Sequence, residues 1–425
     1  MTDSQRLILQ AVCLPPALRG PGIEGPSDQA FDVWLHQGLV SEVFPVPGPP
    51  QGLLLPRLVD LHVHLDKSYT VAEAGPADGD LFAAIERMAR HRQSWATADL
   101  RARMQRALSD AYQSGTRALR THLDWVDGQQ PLSLAVFAEL LAEWRGRLAL
   151  QCVSLTPLDA FDDAAAAQGI AQTLADFNAA HGRSLNAAHG GSQSIGPALM
   201  GCFVYRNPDL QARLRRVFAL AAQHGLALDV HVDEGLDADA CGLPHVAQLT
   251  IAHGMQGRVT CGHACSLSVQ PDAQAAQTLA LCAQAGIHLV ALPSTNLYLQ
   301  GSWQTTPVER GITRLLEARS AGVSTSIATD NVADSFYPYG SYDLLETFGL
   351  GVQMAHLAPA LDWLGAITTA PARAMGLPWD GLMARGCPAD LLHLPLADAF
   401  TLLSPQGRQR RVYVGGTLQP EGAWA

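Results

Sequence analysis

Two histidines one residue apart, in the run Leu61-His62-Val63-His64-Leu65-Asp66, constrain this chain more than any other feature. On an extended backbone, residues i and i+2 share a face, so both imidazoles can reach one divalent cation at roughly 2.0–2.1 Å. The residues before them, Gly52-Leu53-Leu54-Leu55-Pro56-Arg57-Leu58-Val59-Asp60, read as a buried strand that carries the pair to its end. A His-x-His pair in isolation is equally consistent with structural histidines, so the metal reading depends on what the rest of the chain places beside it.

Three further ligand-type residues close apolar or β-branched runs. His231 follows Leu226-Ala227-Leu228-Asp229-Val230, His263 follows Arg258-Val259-Thr260-Cys261-Gly262, and Asp330 ends Val323-Ser324-Thr325-Ser326-Ile327-Ala328-Thr329. Each run is preceded by a helix-like stretch and a glycine (Gly225, Gly257, Gly322), the alternation of a parallel barrel. The expected fold class is α/β, a (β/α)8 TIM-type barrel, whose active site lies at the C-terminal ends of the strands, where these five residues fall. At 425 residues and 48% hydrophobic, the chain can bury one large core and a smaller satellite.

Residues 1–55 hold short strand-like pieces broken by Pro and Gly, Leu7 to Val12 and Leu39 to Phe44 being the clearest. The same texture returns after Gly386, in Ala389 to Leu394 and Arg411 to Gly416. The two ends, 1–55 and 386–425, are expected to pair into a small flanking β-sandwich, with 56–385 forming the barrel. Between them, helix-length segments such as Leu81 to Arg92, Ala98 to Gln113, Leu210 to Gln223 and Ala273 to Gln284 alternate with strands.

A net charge of −11 without a basic cluster argues against nucleic acid or an anionic membrane as partner, and points to a small, weakly charged substrate. Residues 1–4 carry no basic leader and no run reaches about 18 apolar residues, so neither a signal peptide nor a membrane span is expected and the cytoplasm is the expected compartment. The eight scattered cysteines suit a reducing compartment. Cys261-Gly262-His263-Ala264-Cys265 lacks the second ligand pair of a structural zinc, which leaves Cys261 as a small buried hydrophobe.

The segments His62-Val63-His64-Leu65-Asp66, His231-Val232-Asp233-Glu234, Gly262-His263, Asn296 to Gly301, Arg310 to Arg314 and Asp330-Asn331-Val332 with Tyr337-Pro338 closely resemble the cytosine deaminase branch of the amidohydrolase superfamily, which has N-isopropylammelide amidohydrolases among its relatives. The match runs in consistent order from about residue 50 to 385. It implies one iron or zinc ion held by His62, His64, His231 and Asp330, and imidazole and carboxylate ligands suit either metal. Binuclear hydrolases of this architecture often bridge two metals with a carboxylated lysine. The single lysine here, Lys67, stands three residues after His64, so a mononuclear site is expected.

Hydrolytic removal of a ring amine needs a nucleophile at neutral pH, and a bound cation brings the pKa of water from about 15.7 to near 7. The amine leaves only when protonated, which requires a proton shuttle. By resemblance Glu234 carries a proton from water to the ring nitrogen, His263 orients the attacking water, and Asp330 doubles as ligand and proton acceptor.

The resemblance departs from the family in the substrate pocket. Where the cytosine enzymes carry a Phe-Pro-Gln-like segment, this chain reads Leu155-Thr156-Pro157, without the amide that reads the pyrimidine edge. Asn331 stands where the family often has a second acid, Phe336 keeps an aromatic in kind, and His122, in Thr121-His122-Leu123-Asp124, is expected to line the pocket. The run Leu65-Asp66-Lys67-Ser68 is also similar to relatives acting on triazine-type amines. Lys67 is expected to pair with a barrel carboxylate, with a substrate carbonyl or carboxylate as its other candidate partner.

The expected function is a metal-dependent hydrolytic deaminase of cytosine or a closely related aminated nitrogen heterocycle, releasing ammonia. The alternative is an amidohydrolase that removes an alkylamine from an s-triazine or opens a cyclic amide. A non-catalytic barrel scaffold is disfavoured because Glu234 and all four proposed ligands occur together. Relatives of this kind tend to form homo-oligomers, and no interface is legible in the sequence.

Overall fold

A computed structural model describes residues 6–77, 79–126, 129–182 and 195–420; residues 1–4, read above for a leader, lie outside them. Fifteen strands are described. β1 to β4 are Leu7–Cys13, Ala30–His36, Leu39–Val46 and Leu53–Pro56; β5 to β8 are Leu58–Val63, Thr116–Asp124, Ala149–Pro157 and Ala198–Val204. β9 to β12 are Leu228–Val232, Val259–His263, His288–Ala291 and Ser324–Ile327; β13 to β15 are Leu391–Leu394, Arg411–Val414 and Thr417–Leu418.

β5 to β12 form an eight-stranded sheet in sequence order, every adjacent pair parallel. The sheet closes where the segment after β12 meets β5: Val63 bridges Asp330, and the Asp330 amide donates to the His62 carbonyl at 2.9 Å. Asp60 adds to the same seam, its carboxylate accepting from the Thr329 amide at 3.2 Å and the Thr329 hydroxyl at 2.6 Å. With helices alternating between the strands, this is a (β/α)8 barrel. The helices expected from the sequence lie at Leu81–Arg92, Thr97–Gln113, Leu210–His224 and Asp272–Gln284. The first starts at Asp80, whose carboxylate caps the amides of Phe82 and Ala83.

Strand alternation sorts each barrel strand into two faces. On β6, Leu119 and Leu123 join the core between sheet and helices, with Leu150, Met200 and Val230 from neighbouring strands and Met104, Leu140 and Phe218 from helices. Arg120, His122 and Asp124, on the other face, stack through the barrel interior in successive layers. The lowest layer is an ion-paired network: Arg120 is fully buried and donates to Asp229 at 2.7 Å, Thr260 and Gln151 at 3.0 Å, and the Ala374 carbonyl at 2.9 Å.

The two chain ends build a separate seven-stranded sheet, in the order β15-β14-β13-β4-β1-β2-β3. Antiparallel pairing of β4 with β13, Leu391 opposite Pro56, joins the N-terminal strands to the C-terminal ones. Its core gathers Val12, Phe31, Val33, Leu54, Leu391 and Tyr413. All eight cysteines are free thiols, Cys261 being buried on β10. Among the described residues no helix is long and apolar enough to cross a membrane.

Removing one partner of a buried ion pair strands the other charge, at about 3–5 kcal/mol. Arg120→Met is therefore expected to lower the unfolding free energy by about that amount in urea denaturation, with Asp229→Leu in the same chain recovering most of the loss. A cost below about 1 kcal/mol for Arg120→Met would remove the network from the account of the fold.

Candidate active site

Barrel closure brings His62 and His64 to Asp330 from opposite ends of the sheet. Asp330 Oδ1 lies 3.2 Å from His64 Nε2 and 3.7 Å from His62 Nε2, and His231 Nε2 lies 3.4 Å from His64 Nε2. His231 comes from β9, which the β10 ladder sets opposite Gly262. That glycine has a steric reason: a Cβ there would sit 2.9 Å from His62 Cε1 and 3.0 Å from its Nδ1, so only a bare backbone lets the His62 ring into the cluster.

The backbone turns sharply where these strands end. Asp233, His263, Ala264 and Asp330 are non-glycine residues with φ of 50°, 69°, 49° and 62°. Each such conformation costs about 1–3 kcal/mol and persists only when its surroundings enforce it. Asp233 is enforced by its own carboxylate, which accepts from the amides of Gly242 at 3.1 Å and Leu243 at 2.8 Å.

The donor set fits a divalent cation. His62, His64, His231 and Asp330 are all buried, and among the described residues neither ring nitrogen of His62 has a hydrogen-bond partner. Two Nε2 atoms and a carboxylate oxygen crowded beside a third, unpartnered Nε2 form an arrangement that a shared cation satisfies. Burial, then the neighbouring histidines, hold His62 and His231 well below the usual 6.5, which keeps them in the neutral form that ligates. Burial pushes Asp330 up, but hydrogen bonding from His64 and the His263 charge outweigh it and hold the carboxyl below its ordinary value.

Beside this cluster stands an acid–base pair. Glu234, two residues past β9, places Oε1 3.2 Å from His263 Nδ1. Burial, then the charge of Asp330, drive Glu234 well above the ordinary 4.5, against a weaker pull from Lys67. Burial lowers His263 to about 4. Asn296 Nδ2 lies 3.1 Å from the same His263 Nδ1 and fixes the ring, leaving His263 Nε2 buried and, among the described residues, unpartnered.

A cavity of about 310 Å³ opens above these groups, with His64, His231, Glu234 and His263 at its inner end. Leu155, Asn331, Phe336 and Lys67 are on its walls, and the Asn331 amide donates to Asp334 at 2.7 Å. Lys67 makes the carboxylate pair expected of it, 2.5 Å from Asp124 Oδ1, and sits 5.4 Å over the Phe336 ring. His122, expected to line the pocket, is not part of its wall. It is fully buried one layer lower, its ring 4.0 Å from that of His62, because two residues of β6 still separate it from the strand end, where Asp124 reaches the cavity instead.

The sequence reading assigned no role to the roof. Leu81, Phe82, Ile85, Met88, Ala89 and Arg92 project into the cavity from one face of the helix Leu81–Arg92. Their spacing was visible, but an ordinary amphipathic helix shows the same period.

The family model described as the amidohydrolase family matches residues 97–418. The chain is 36% identical over 405 residues to a pterin deaminase of Rhizobium rhizogenes (strain K84 / ATCC BAA-868), covering 92% of this chain and 88% of that protein. It is 24% identical over 367 residues to an N-isopropylammelide isopropyl amidohydrolase of Pseudomonas sp. (strain ADP), covering 83% and 81%. The fold superimposes on a crystal structure of 5-methylcytosine deaminase from Klebsiella pneumoniae with a TM-score of 0.81, 22% identity and 97% of each chain covered. With the family model spanning most of its length and a relative this similar over nearly all of it, the chain belongs to the amidohydrolase family and is a hydrolase acting on carbon–nitrogen bonds.

Proposed function

We propose that this protein is a metal-dependent hydrolytic deaminase of an aminated nitrogen heterocycle, and that its ring is a pterin in preference to cytosine. The observation that carries the deaminase reading is the meeting of His62, His64, His231 and Asp330, of which His64 and His231 line an apolar cavity, with Glu234 held 3.2 Å from His263 beside them. Two observations support the larger ring. The relative at 36% identity is a pterin deaminase, and about 310 Å³ walled by Leu155, Phe203 and Phe336 leaves room beyond a single six-membered ring. The Leu155-Thr156-Pro157 wall also offers no side-chain amide to a pyrimidine edge.

With His62, His64, His231 and Asp330 as ligands, one divalent cation would supply a Lewis acid that lowers the pKa of a water toward about 7. Glu234 takes a proton from the attacking water and delivers it to the ring nitrogen beside the amine-bearing carbon. His263, held by Asn296, turns Nε2 toward the oxygen that adds and orients it. Asp330 accepts the second proton of the water, which passes to the departing nitrogen. Oxygen then replaces the amine on the ring and ammonia leaves. Leu155 and Phe336 flank the ring, and the roof helix excludes bulk water.

Glu234→Gln is expected to retain bound metal by elemental analysis while losing about 10²–10⁴-fold in turnover, whereas Asp330→Ala loses both metal and turnover. Full activity in Glu234→Gln would remove it from the acid–base role. Ammonia and alkylamine release, measured over cytosine, pterin and an N-alkylated triazine, is expected to show ammonia from pterin as the fastest reaction. Alkylamine from the triazine without ammonia from any ring would favour the alternative amidohydrolase, and metal content near zero after reconstitution would favour a scaffold.

A further inference from the structure

Asp334 has no role in the proton transfers, yet it holds two residues of the cavity wall. It is fully buried and is not itself part of that wall. Its Oδ2 accepts from the Asn331 amide nitrogen at 2.7 Å. Its Oδ1 accepts from the backbone amides of Phe336 at 2.8 Å and Tyr337 at 3.0 Å. Asn331 and Phe336 both line the cavity, so one carboxylate anchors an amide and an aromatic residue of the wall. The loop around it is tight: the Asp334 amide donates to the Tyr337 carbonyl at 3.3 Å, and a Cβ on Gly340 would overlap the Asn331 carbonyl oxygen.

A carboxylate only accepts hydrogen bonds, so its partner must turn an N–H toward it. Burial lifts the Asp334 carboxyl to about 6, against the pull of the Asn331 and Tyr337 hydrogen bonds and the Lys67 charge, which leaves it ionised at neutral pH. The Asn331 side-chain nitrogen is therefore committed to Asp334, away from the cavity, and its carbonyl oxygen is the polar atom it can offer a ring. The polar wall groups outside the His64, His231, Glu234 and His263 cluster are otherwise engaged. Lys67 and Arg92 share Asp124, and the Thr156 hydroxyl donates to the Ser154 carbonyl at 3.4 Å.

We infer that Asp334 is a positioning residue that sets the polarity of the wall: it presents Asn331 Oδ1 as a fixed hydrogen-bond acceptor, which selects rings carrying an N–H on the edge that meets it. This rests on the deaminase reading and narrows its substrate to rings with a hydrogen-bearing nitrogen, of the kind found beside a ring carbonyl. An alkylated nitrogen would bury that oxygen without a partner, and discrimination follows from the loss. In Asp334→Asn the two backbone amides can keep their acceptor while the new amide nitrogen faces Asn331. Two N–H groups then meet, so the Asn331 amide turns over and shows the cavity a donor. Adding Asn331→Asp returns an acceptor to the wall.

The experiment measures kcat/KM of the metal-loaded enzyme for pterin and for pterin methylated on its lactam ring nitrogen, and reads the ratio. General damage to the site lowers both rings alike and leaves the ratio in place. Wild type is expected to prefer pterin by about 10- to 100-fold, mainly through KM. The preference is expected to fall below about 3-fold in Asn331→Leu and in Asp334→Asn, and to return in the double variant Asn331→Asp/Asp334→Asn. Asn331→Leu keeps the size of the side chain, so a methyl rejected by shape alone would still be rejected there. A wild type without preference, a wild-type ratio kept in Asn331→Leu, or a double variant no better than the singles would overturn the inference and leave the deaminase reading standing. No ammonia from either ring with wild type would overturn the deaminase reading for pterins, and the ratio is then read from Kd by calorimetry. Loss of the Kd preference in Asn331→Leu supports the acceptor, and no binding of either ring overturns both.

Discussion

The seam that closes the barrel is the constraint on which the rest depends. β5 carries His62, with His64 just past its end, the segment after β12 carries Asp330, and their separation in sequence is bridged by the Asp330–His62 amide-to-carbonyl hydrogen bond and the paired Asp60–Thr329 contacts. The hydrogen bond that closes the sheet is made by Asp330 and His62 themselves, two members of the proposed donor set. Fold and site are therefore not separable here: a register slip at this seam would turn both histidines to the wrong face while opening the sheet.

The interior of this barrel is unusually polar for a packed core, and its layering explains why it tolerates that. Arg120 at the bottom neutralises Asp229, with Gln151, Thr260 and the Ala374 carbonyl taking its remaining donors. His122 and His62 stack above it, and only the top layer opens to the cavity. Among the described residues, unpartnered atoms occur in every layer, Asp229 Oδ1 at the bottom and both ring nitrogens of His122 and His62 above it, but at the top His64, His231 and His263 also reach the cavity.

Much of this was legible in the sequence, for physical reasons that also mark the limit. Strand ends bearing His231, His263 and Asp330 were readable because a buried strand announces itself by composition and the residue just beyond it falls at the barrel mouth. The pairing of Lys67 was readable because one lysine in an acidic chain has many carboxylates to choose from. His122 was misplaced because its motif fixes which face it takes but not how deep along β6 it lies. The roof helix escaped notice because its apolar stripe carries no mark to distinguish facing a core from facing a cavity. Asn296 went without a role because its contact with His263 joins two different strand ends, a proximity that only the closed sheet creates.

The roof is one twelve-residue helix entering between β5 and β6, and it contributes six side chains to the cavity and none to the cluster of His62, His64, His231 and Asp330. The strand-end cluster and the roof are thus held in different segments of the polypeptide. Replacing residues in that one short stretch would reshape one side of the cavity while leaving the side chains at the strand ends where they are.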